Sequence, residues 1–277
     1  MYAPVSLPTP DLAPPGHAGE SEGPAANLWM WEGARRTWNE RSLERVNANR
    51  ARPSLAPVDD VLGHILTDRS WLAADATLAP APSTSGLRVM QTGAWILPDT
   101  SPLAPELEAF LDDGEPPVYV GFGSMPAVES TSRTLIDATR ATGRRVILSQ
   151  GWADLELIDD RPDCIAIGDV NKQALFPRVA AIVHHGGAGT TTAAARAGAA
   201  QVAVPMFSAQ FYWGLRIRDL GIGTVAPFAG LTTDTLASAL HEVLDPAVAA
   251  RARVLAGNVT PDGAAITAQR LVTLGLP

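Results

Sequence analysis

From residue 117 onward, short apolar runs alternate with amphipathic segments. Each run is bounded by glycine or a polar residue, as is typical of buried strands in a parallel sheet. The segments between them carry apolar residues at helical spacing. The pattern predicts strands over 118–123, 145–149, 164–167, 180–183 and 201–204, and helices over 132–142, 190–197, 210–220, 233–244, 247–257 and 263–274. This alternation predicts an α/β fold in which right-handed crossovers join a doubly wound parallel sheet.

The pattern before residue 117 is less regular. Prolines crowd residues 1–24, and the main helix of this part is predicted over 27–49. A short helix is predicted over 59–66 and a strand over 87–97, while prolines flank one amphipathic helix before residue 117. The predicted organisation is therefore a domain over 1–97, a linker over 98–116 and a second domain over 117–277.

Composition excludes several classes of protein. The net charge of -8 argues against nucleic-acid binding, which needs a basic face. No apolar run approaches the roughly 18 residues of a spanning helix, and the first residues lack the pattern of a signal peptide. Cys164 is the single cysteine, which excludes an internal disulfide and fits a reducing compartment. We expect a soluble, cytoplasmic protein without a membrane span.

Two glycine-rich loops follow predicted strands. The first contains Gly121, Gly123 and Ser124, whose hydroxyl can donate to an oxyanion. The second runs over 184–192 as HHGGAGTTT and leads into a helix. Exposed N–H groups at a helix start form a site for an anion, most often phosphate, and His185 stands beside them.

Each of these features also has a structural interpretation. Glycine-rich turns occur wherever a helix packs closely on a strand, and a lone histidine or cysteine is commonly part of a core. The adjacent acid pairs at 59–60, 112–113 and 159–160 are expected to be solvated. No spacing of His, Cys or carboxylates predicts a metal site.

The combination of motifs is more specific than its parts. The segments concerned are residues 116–125 (PPVYVGFGSM), 144–152 (RRVILSQGW), 167–191 (IGDVNKQALFPRVAAIVHHGGAGTT), 196–224 and 92–99 (TGAWILPD). Together they resemble the C-terminal donor domain and interdomain linker of bacterial GT-B glycosyltransferases. The resembled enzymes decorate antibiotics and other lipophilic natural products, with glycopeptide-antibiotic and sterol-type glucosyltransferases as near relatives.

The resemblance implies roles for particular residues. The diphosphate of a UDP- or dTDP-sugar donor would be held by Ser124, by His185 and by the backbone of Gly187, Ala188, Gly189 and Thr190. Trp152 and Val170, with the loop 169–173, would hold the nucleobase. Gln210 would contact the sugar, with Phe207 and Ser208 nearby. The resemblance implies no metal and no cofactor beyond this donor substrate.

The sequence departs from the family in two respects. Ala209 stands where the family usually has an aspartate that accepts from sugar hydroxyls, which leaves sugar identity and turnover open. The chain also starts late: residues 1–5 are predicted to be a strand from the middle of an N-terminal acceptor domain. About 100 residues of that domain would then be absent, including the general base, so no catalytic residue is assigned.

Residues 1–97 are accordingly predicted to be a partial acceptor-side domain. Its tryptophans Trp29, Trp31 and Trp38 would either line a site for a lipophilic, hydroxylated acceptor or pack in the core. The predicted function is an inverting, metal-independent glycosyltransferase that moves a sugar to a hydroxyl of such an acceptor. The alternative is a nucleotide-sugar-binding fragment without catalysis, and no oligomeric state is predicted.

Overall fold

The structure is a computed structural model that describes residues 3–15, 17, 23–83, 87–125, 131–153, 155–207 and 209–275. The helices are α1 (Pro24–Ala51), α2 (Val61–Leu66), α3 (Pro105–Asp112), α4 (Thr131–Ala141), α5 (Lys172–Leu175), α6 (Ala188–Arg196), α7 (Ala209–Asp219), α8 (Thr233–Val243), α9 (Pro246–Ala256) and α10 (Gly263–Thr273). The strands are β1 (Trp71–Leu72), β2 (Met90–Gln91), β3 (Val118–Gly121), β4 (Val146–Ser149), β5 (Cys164–Ile167), β6 (Ala181–His184), β7 (Ala200–Ala203) and β8 (Gly223–Val225).

The chain forms two compact units. The first comprises Met1–Trp95 together with Asp262–Pro277, and the second comprises Ile96–Pro261. The sequence had assigned the last helix, α10, to the second domain, whereas in the structure it belongs to the first unit. The reason is a close backbone approach at Gly263, where a Cβ atom would lie 2.5 Å from the carbonyl oxygen of Ala94.

The first unit contains α1, α2, α10 and the short parallel pair of β1 and β2. The strand predicted over 87–97 is reduced to the two residues of β2. The strand predicted over 1–5 is wrong where the structure describes it, since Pro4–Ser6 form a 3₁₀ helix that begins at a proline. Met1 and Tyr2 lie outside the described residues.

The second unit is built around six parallel strands in the order β5-β4-β3-β6-β7-β8. This order is that of the Rossmann arrangement, which confirms the predicted doubly wound sheet. All four residues of β3, β4, β6 and β7 are buried, as strands covered by helices on both faces require. Strand β8, which is not among the predicted strands, extends the sheet beside β7.

The two faces of the sheet pack against different helices. Val118, Val120 and Leu148 belong to one apolar cluster that includes residues of α4 and α8. Tyr119 and Ile147, which alternate with them, belong to a second cluster that includes residues of α3 and α6. No helix in the described part of the chain is long and apolar enough to cross a membrane.

The register brings three strand ends to one level. Gly121, the last residue of β3, pairs with Ser149 of β4 on one side and with His184 of β6 on the other. The strand order reverses between β3 and β6, and such a switch point leaves a crevice beyond the carboxyl ends of the strands. Both predicted glycine-rich loops begin at this crevice.

Candidate functional site

The loops that follow β3 and β4 are packed backbone to backbone. The N–H of Trp152 donates to the carbonyl oxygen of Gly123 over 2.9 Å. Gly123 and Gly151 both have positive φ, +59° and +52°, and a Cβ atom on Gly151 would lie 2.5 Å from that same carbonyl oxygen. Glycine is required here because a side chain would push the two loops apart.

The loop that follows β6 turns sharply into α6. Gly186 has a φ of +82°, and a Cβ atom there would lie 2.8 Å from the carbonyl oxygen of Gln210 at the start of α7. Gly187 is the N-cap of α6, and a Cβ atom on it would overlap Nε2 of His185. Glycine is therefore needed at both positions, because a side chain on Gly186 would meet the backbone of α7 and a side chain on Gly187 would meet the His185 ring.

The start of α6 presents free backbone donors. Gly187 gives α6 no side-chain cap, and the N–H groups of Ala188, Gly189 and Thr190 have no protein acceptor among the described residues. The helix dipole adds partial positive charge at this end. A Cβ atom on Gly189 would meet nothing within 4 Å, so the space beside its backbone is open. These features suit an anion.

The imidazole of His185 lies between the two glycine-rich loops. Its Cε1 would be 3.5 Å from a Cβ atom on Gly123, and its Nε2 faces Gly187. Nδ1 is buried and has no hydrogen-bond partner among the described residues. Burial lowers the pKa of His185, and the positive charge of Lys172 lowers it further. The loop thus holds a neutral ring whose Nδ1 has no hydrogen-bond partner in the described part of the chain.

The other predicted donor-binding residues of this edge differ in exposure. Ser124 is exposed on the turn after β3, and the Trp152 side chain is 78% exposed. Trp152 and Val170 each stand three residues beyond a paired position, because Ser149 of β4 pairs with Ile167 of β5. The two residues therefore leave the sheet from neighbouring strands at the same edge.

Val170 also lines a groove of about 820 Å³ beside β5. This groove includes Asp169 and Asn171 but none of the other predicted site residues. The Asn171 side chain donates to the carbonyl oxygens of Asp99 and Ser101, and it accepts from the backbone of α5. The segment that the sequence interpreted as a linker is thereby attached to the β5–α5 loop, a contact that sequence patterns did not indicate.

Gln210 is buried and already engaged in hydrogen bonds. Its Oε1 accepts from the N–H groups of Met206 and Phe207 over 2.8 and 3.3 Å, and its Nε2 donates to Sδ of Met125 over 3.1 Å. Gln210 thus connects the loop before α7 to the loop after β3. Ala209 is the first residue of α7, Phe207 is exposed, and Ser208 lies outside the described residues.

The sequence placed the three tryptophans of α1 either in an acceptor site or in the core, and the structure separates them. Trp31 is buried, and its Nε1–H donates to the carbonyl oxygen of Leu12 over 3.0 Å, so it belongs to the core. Trp29 and Trp38 are 72% and 47% exposed and line a groove of about 640 Å³ in the first unit. Pro14, His17 and Arg41 also line it.

The remaining candidate groups are Cys164, the possible metal ligands and the adjacent acid pairs. In the described part of the chain their surroundings indicate structural roles. Burial raises the pKa of the Cys164 thiol to about 12, which leaves the nucleophilic thiolate scarce at neutral pH. Within the described ranges no three His, Cys, Asp or Glu side chains cluster in a way that could hold a metal ion. One member of each adjacent acid pair forms an ion pair instead of being merely solvated, namely Asp60, Asp112 and Asp159.

A Rossmann-ordered sheet with a glycine-rich strand-to-helix loop at its switch point defines a doubly wound class of α/β domain. Residues 133–274 match the family described as "Erythromycin biosynthesis protein CIII-like, C-terminal domain", and the chain belongs to this family of glycosyltransferases. It is 48% identical to glycosyltransferase GtfE of Amycolatopsis orientalis over 98% of its own length and 66% of the relative's. It is 49% identical to the vancomycin aglycone glucosyltransferase of the same organism, over 98% of its own length and 67% of the relative's.

Solved structures agree on the fold. The glycosyltransferase of kitacinnamycin aligns with a TM-score of 0.70 at 21% identity, covering 91% of this chain and 68% of that one. The calicheamicin glycosyltransferase CalG4 aligns with a TM-score of 0.60 at 18% identity, covering 91% and 63%. The fold is therefore that of GT-B glycosyltransferases. The chain spans about two thirds of the length of the curated relatives it matches.

Proposed function

We propose that this chain is the donor-binding part of an inverting, metal-independent glycosyltransferase. Its donor is a UDP- or dTDP-sugar, and its acceptor is a hydroxyl of a lipophilic natural product of the antibiotic-aglycone type. One observation carries the proposal: His185 and the uncapped start of α6 lie together at the switch point of the sheet.

The diphosphate fits this site because charge and donors are complementary. The three free N–H groups of α6 would donate to phosphate oxygens, and Ser124 would add a hydroxyl from the neighbouring loop. The His185 ring, which lies against Gly187 and Gly123, would contribute a further contact to the same group. In a glycosyl transfer, negative charge develops on the diphosphate as its bond to the sugar breaks. Donors already in place stabilise that charge without reorganisation, which is the contribution that a metal ion makes elsewhere.

The nucleobase is assigned to the neighbouring strand ends. The exposed indole of Trp152 offers a flat face for stacking, and Val170 stands at the corresponding position of the next loop. One structure of the same fold, LpCGTa, was solved with UDP, and it aligns with a TM-score of 0.56. A relative 44% identical to this chain is named a dTDP-epi-vancosaminyltransferase. Both nucleotides are therefore candidates.

The transfer step is a single displacement. The acceptor hydroxyl forms a bond to the anomeric carbon from the face opposite the diphosphate, while the bond from that carbon to the diphosphate oxygen breaks. A base takes the hydroxyl proton. We assign that role to no residue in the described part of the chain. The exposed indoles of Trp29 and Trp38 are the proposed contact for the acceptor's apolar surface.

Binding of the nucleotide is the direct test. UDP and dTDP should raise the melting temperature of the purified protein, because a ligand that binds the folded state stabilises it. His185→Ala should remove most of this rise, and EDTA should leave it unchanged. His241→Ala is the matched control, since that exposed histidine lies on α8, outside the loops of the site. Equal binding by His185→Ala and the unchanged protein would contradict the assignment of His185.

The second candidate function is nucleotide-sugar binding without transfer. It is favoured by the contacts of Gln210, whose carboxamide is engaged with Met206, Phe207 and Met125 instead of being free for a sugar. An assay with UDP-glucose, dTDP-sugars and a panel of hydroxylated aglycones distinguishes the two. Binding without product, with product formed once the N-terminal part of a relative is added, would support this second function. Multiple turnovers by these 277 residues alone would exclude it.

A further inference from the structure

His184 precedes His185, the residue proposed to contact the diphosphate, and it is completely buried at the end of β6. Its Nδ1 lies 3.1 Å from the backbone nitrogen of Gly186, and its Nε2 lies 3.0 Å from Oε1 of Gln201 on β7. It therefore connects the glycine turn to a neighbouring strand through both of its ring nitrogens.

The chemistry of the two contacts determines the protonation state of His184. A backbone N–H can only donate, so Nδ1 must accept the bond from Gly186 and carries no proton. A neutral ring then has its proton on Nε2, which must donate, and Oε1 of Gln201 is the acceptor in place. A charged ring would set Nδ1–H against the N–H of Gly186. Burial lowers the pKa of His184 to about 3, the charges of His185 and Lys172 lower it as well, and the hydrogen bond with Gln201 opposes them only in part.

We infer that His184 is a positioning residue for the diphosphate loop: held by Gln201, it fixes the N–H of Gly186 and with it the turn that presents Gly187–Thr190. This inference rests on the proposed function for its consequence in binding, although the positioning itself is independent of any ligand. The turn needs such support because Gly186 has a positive φ and packs directly on the backbone of Gln210. Without an inward acceptor, the N–H of Gly186 would be a buried donor left unpaired, which favours another loop conformation.

A matched pair of variants separates this role from ordinary core packing. His184→Asn keeps an acceptor at the place of Nδ1, whereas His184→Gln keeps a polar group at the place of Nε2 and loses the bond to Gly186. Amide hydrogen exchange of Gly186 reads the bond directly. We expect slow exchange in the unchanged protein and in His184→Asn, and fast exchange in His184→Gln. Equal exchange in the two variants would overturn the inference.

Ligand binding adds a second readout. The dissociation constant of UDP should rise about tenfold in His184→Gln and stay within about threefold of the unchanged protein in His184→Asn. If the unchanged protein does not bind UDP at all, the proposed function fails, while hydrogen exchange still decides the role of His184. If UDP binds and both variants bind it equally, the positioning role is overturned and the proposed function stands.

Histidine ¹⁵N NMR tests the protonation state. The His184 signal, identified by its loss in His184→Asn, should show the neutral ring with its proton on Nε2 from pH 5 to pH 8. Gln201→Glu should place a carboxylate beside Nε2, favour the charged ring, and weaken UDP binding as the pH falls. Gln201→Met, which carries no charge, should show no such pH dependence. A proton on Nδ1 in the unchanged protein would overturn the inference.

Discussion

The Nε2 edge of the His185 ring lies so close to the α-carbon of Gly187 that no side chain fits between them. The contact joins the ring that would meet the diphosphate to the residue that begins α6. Gly187 has an ordinary negative φ of -71°, so glycine is needed there for space and not for backbone conformation.

This relationship predicts different outcomes for two nearby glycines. Gly187→Ala should displace the His185 ring or the start of α6 and lower the free energy of unfolding by about 1–3 kcal/mol. Gly189→Ala places its Cβ in open space inside a helix and should not destabilise the protein. Urea unfolding of both variants without ligand measures the difference. Equal destabilisation by the two substitutions would contradict the close contact.

Diphosphate binding should be coupled to protonation of His185. Burial and Lys172 lower the pKa of this ring, and a bound phosphate would raise it again. Between the two pKa values the complex holds more protons than the free protein, so affinity should increase as the pH falls through that window. Calorimetric titration of UDP in two buffers of different ionisation enthalpy measures the proton uptake. His185→Ala should lack this part of the uptake, and His241→Ala should retain it.

Trp152 should contribute to nucleotide affinity and little to the fold. Its side chain is 78% exposed, and stacking of a base on an aromatic ring is worth about 1–3 kcal/mol. Trp152→Ala should therefore weaken UDP and dTDP about tenfold or more, with an unchanged melting temperature in the absence of ligand. Trp152→Phe, which keeps an aromatic face, should recover most of the affinity. Full affinity in Trp152→Ala would remove the residue from the proposed site.

The ion pairs of Arg140 should make stability sensitive to acid. The Arg140 guanidinium donates to Asp159 over 2.7 and 2.8 Å and lowers the pKa of that carboxyl from 3.8 to about 2. The folded protein then binds the Asp159 proton at lower pH than the unfolded chain does. This stabilisation is complete above about pH 5 and is lost as the pH falls toward 2.

Unfolding measured between pH 5 and pH 2 tests this account. Arg140→Met should reduce the stability at neutral pH and make it depend less steeply on pH in this range. Arg144→Met is the matched control, because its partner Glu115 is 85% exposed and such a pair contributes little. A pH dependence that is unchanged in Arg140→Met would show that other groups dominate the acid response.

Strand β5 shows what a local sequence pattern can predict and what it cannot. The prediction over 164–167 agrees with the observed Cys164–Ile167, because a short apolar run closed by Gly168 already specifies a strand. The local pattern does not specify which strand lies beside β5. Its place at the edge of the sheet, beside β4, depends on contacts between residues far apart in the chain.

The candidate site shows the same division. The segment over 184–192 was recognisable as a glycine-rich strand-to-helix loop from its glycines and its position before a helix, and its binding of an anion stays a prediction. His184 and His185 look equivalent in that text, yet one is fully buried against Gln201 and the other lies between two loops. Likewise Gln210 was expected beside the sugar, whereas its carboxamide is engaged with Met206, Phe207 and Met125. Its contact with the sugar stays a prediction.

Sequence alone thus determined most helices and strands of the second unit, the parallel class of its sheet and the glycine-rich segment that joins β6 to α6. These properties follow from periodicity and glycine placement, which act over a few residues. Tertiary structure decided that α10 belongs to the first unit, that Trp31 is core while Trp29 is exposed, and which side chain supports which loop. Those outcomes depend on close approaches between distant segments, such as Gly263 against Ala94, and local periodicity carries no information about them.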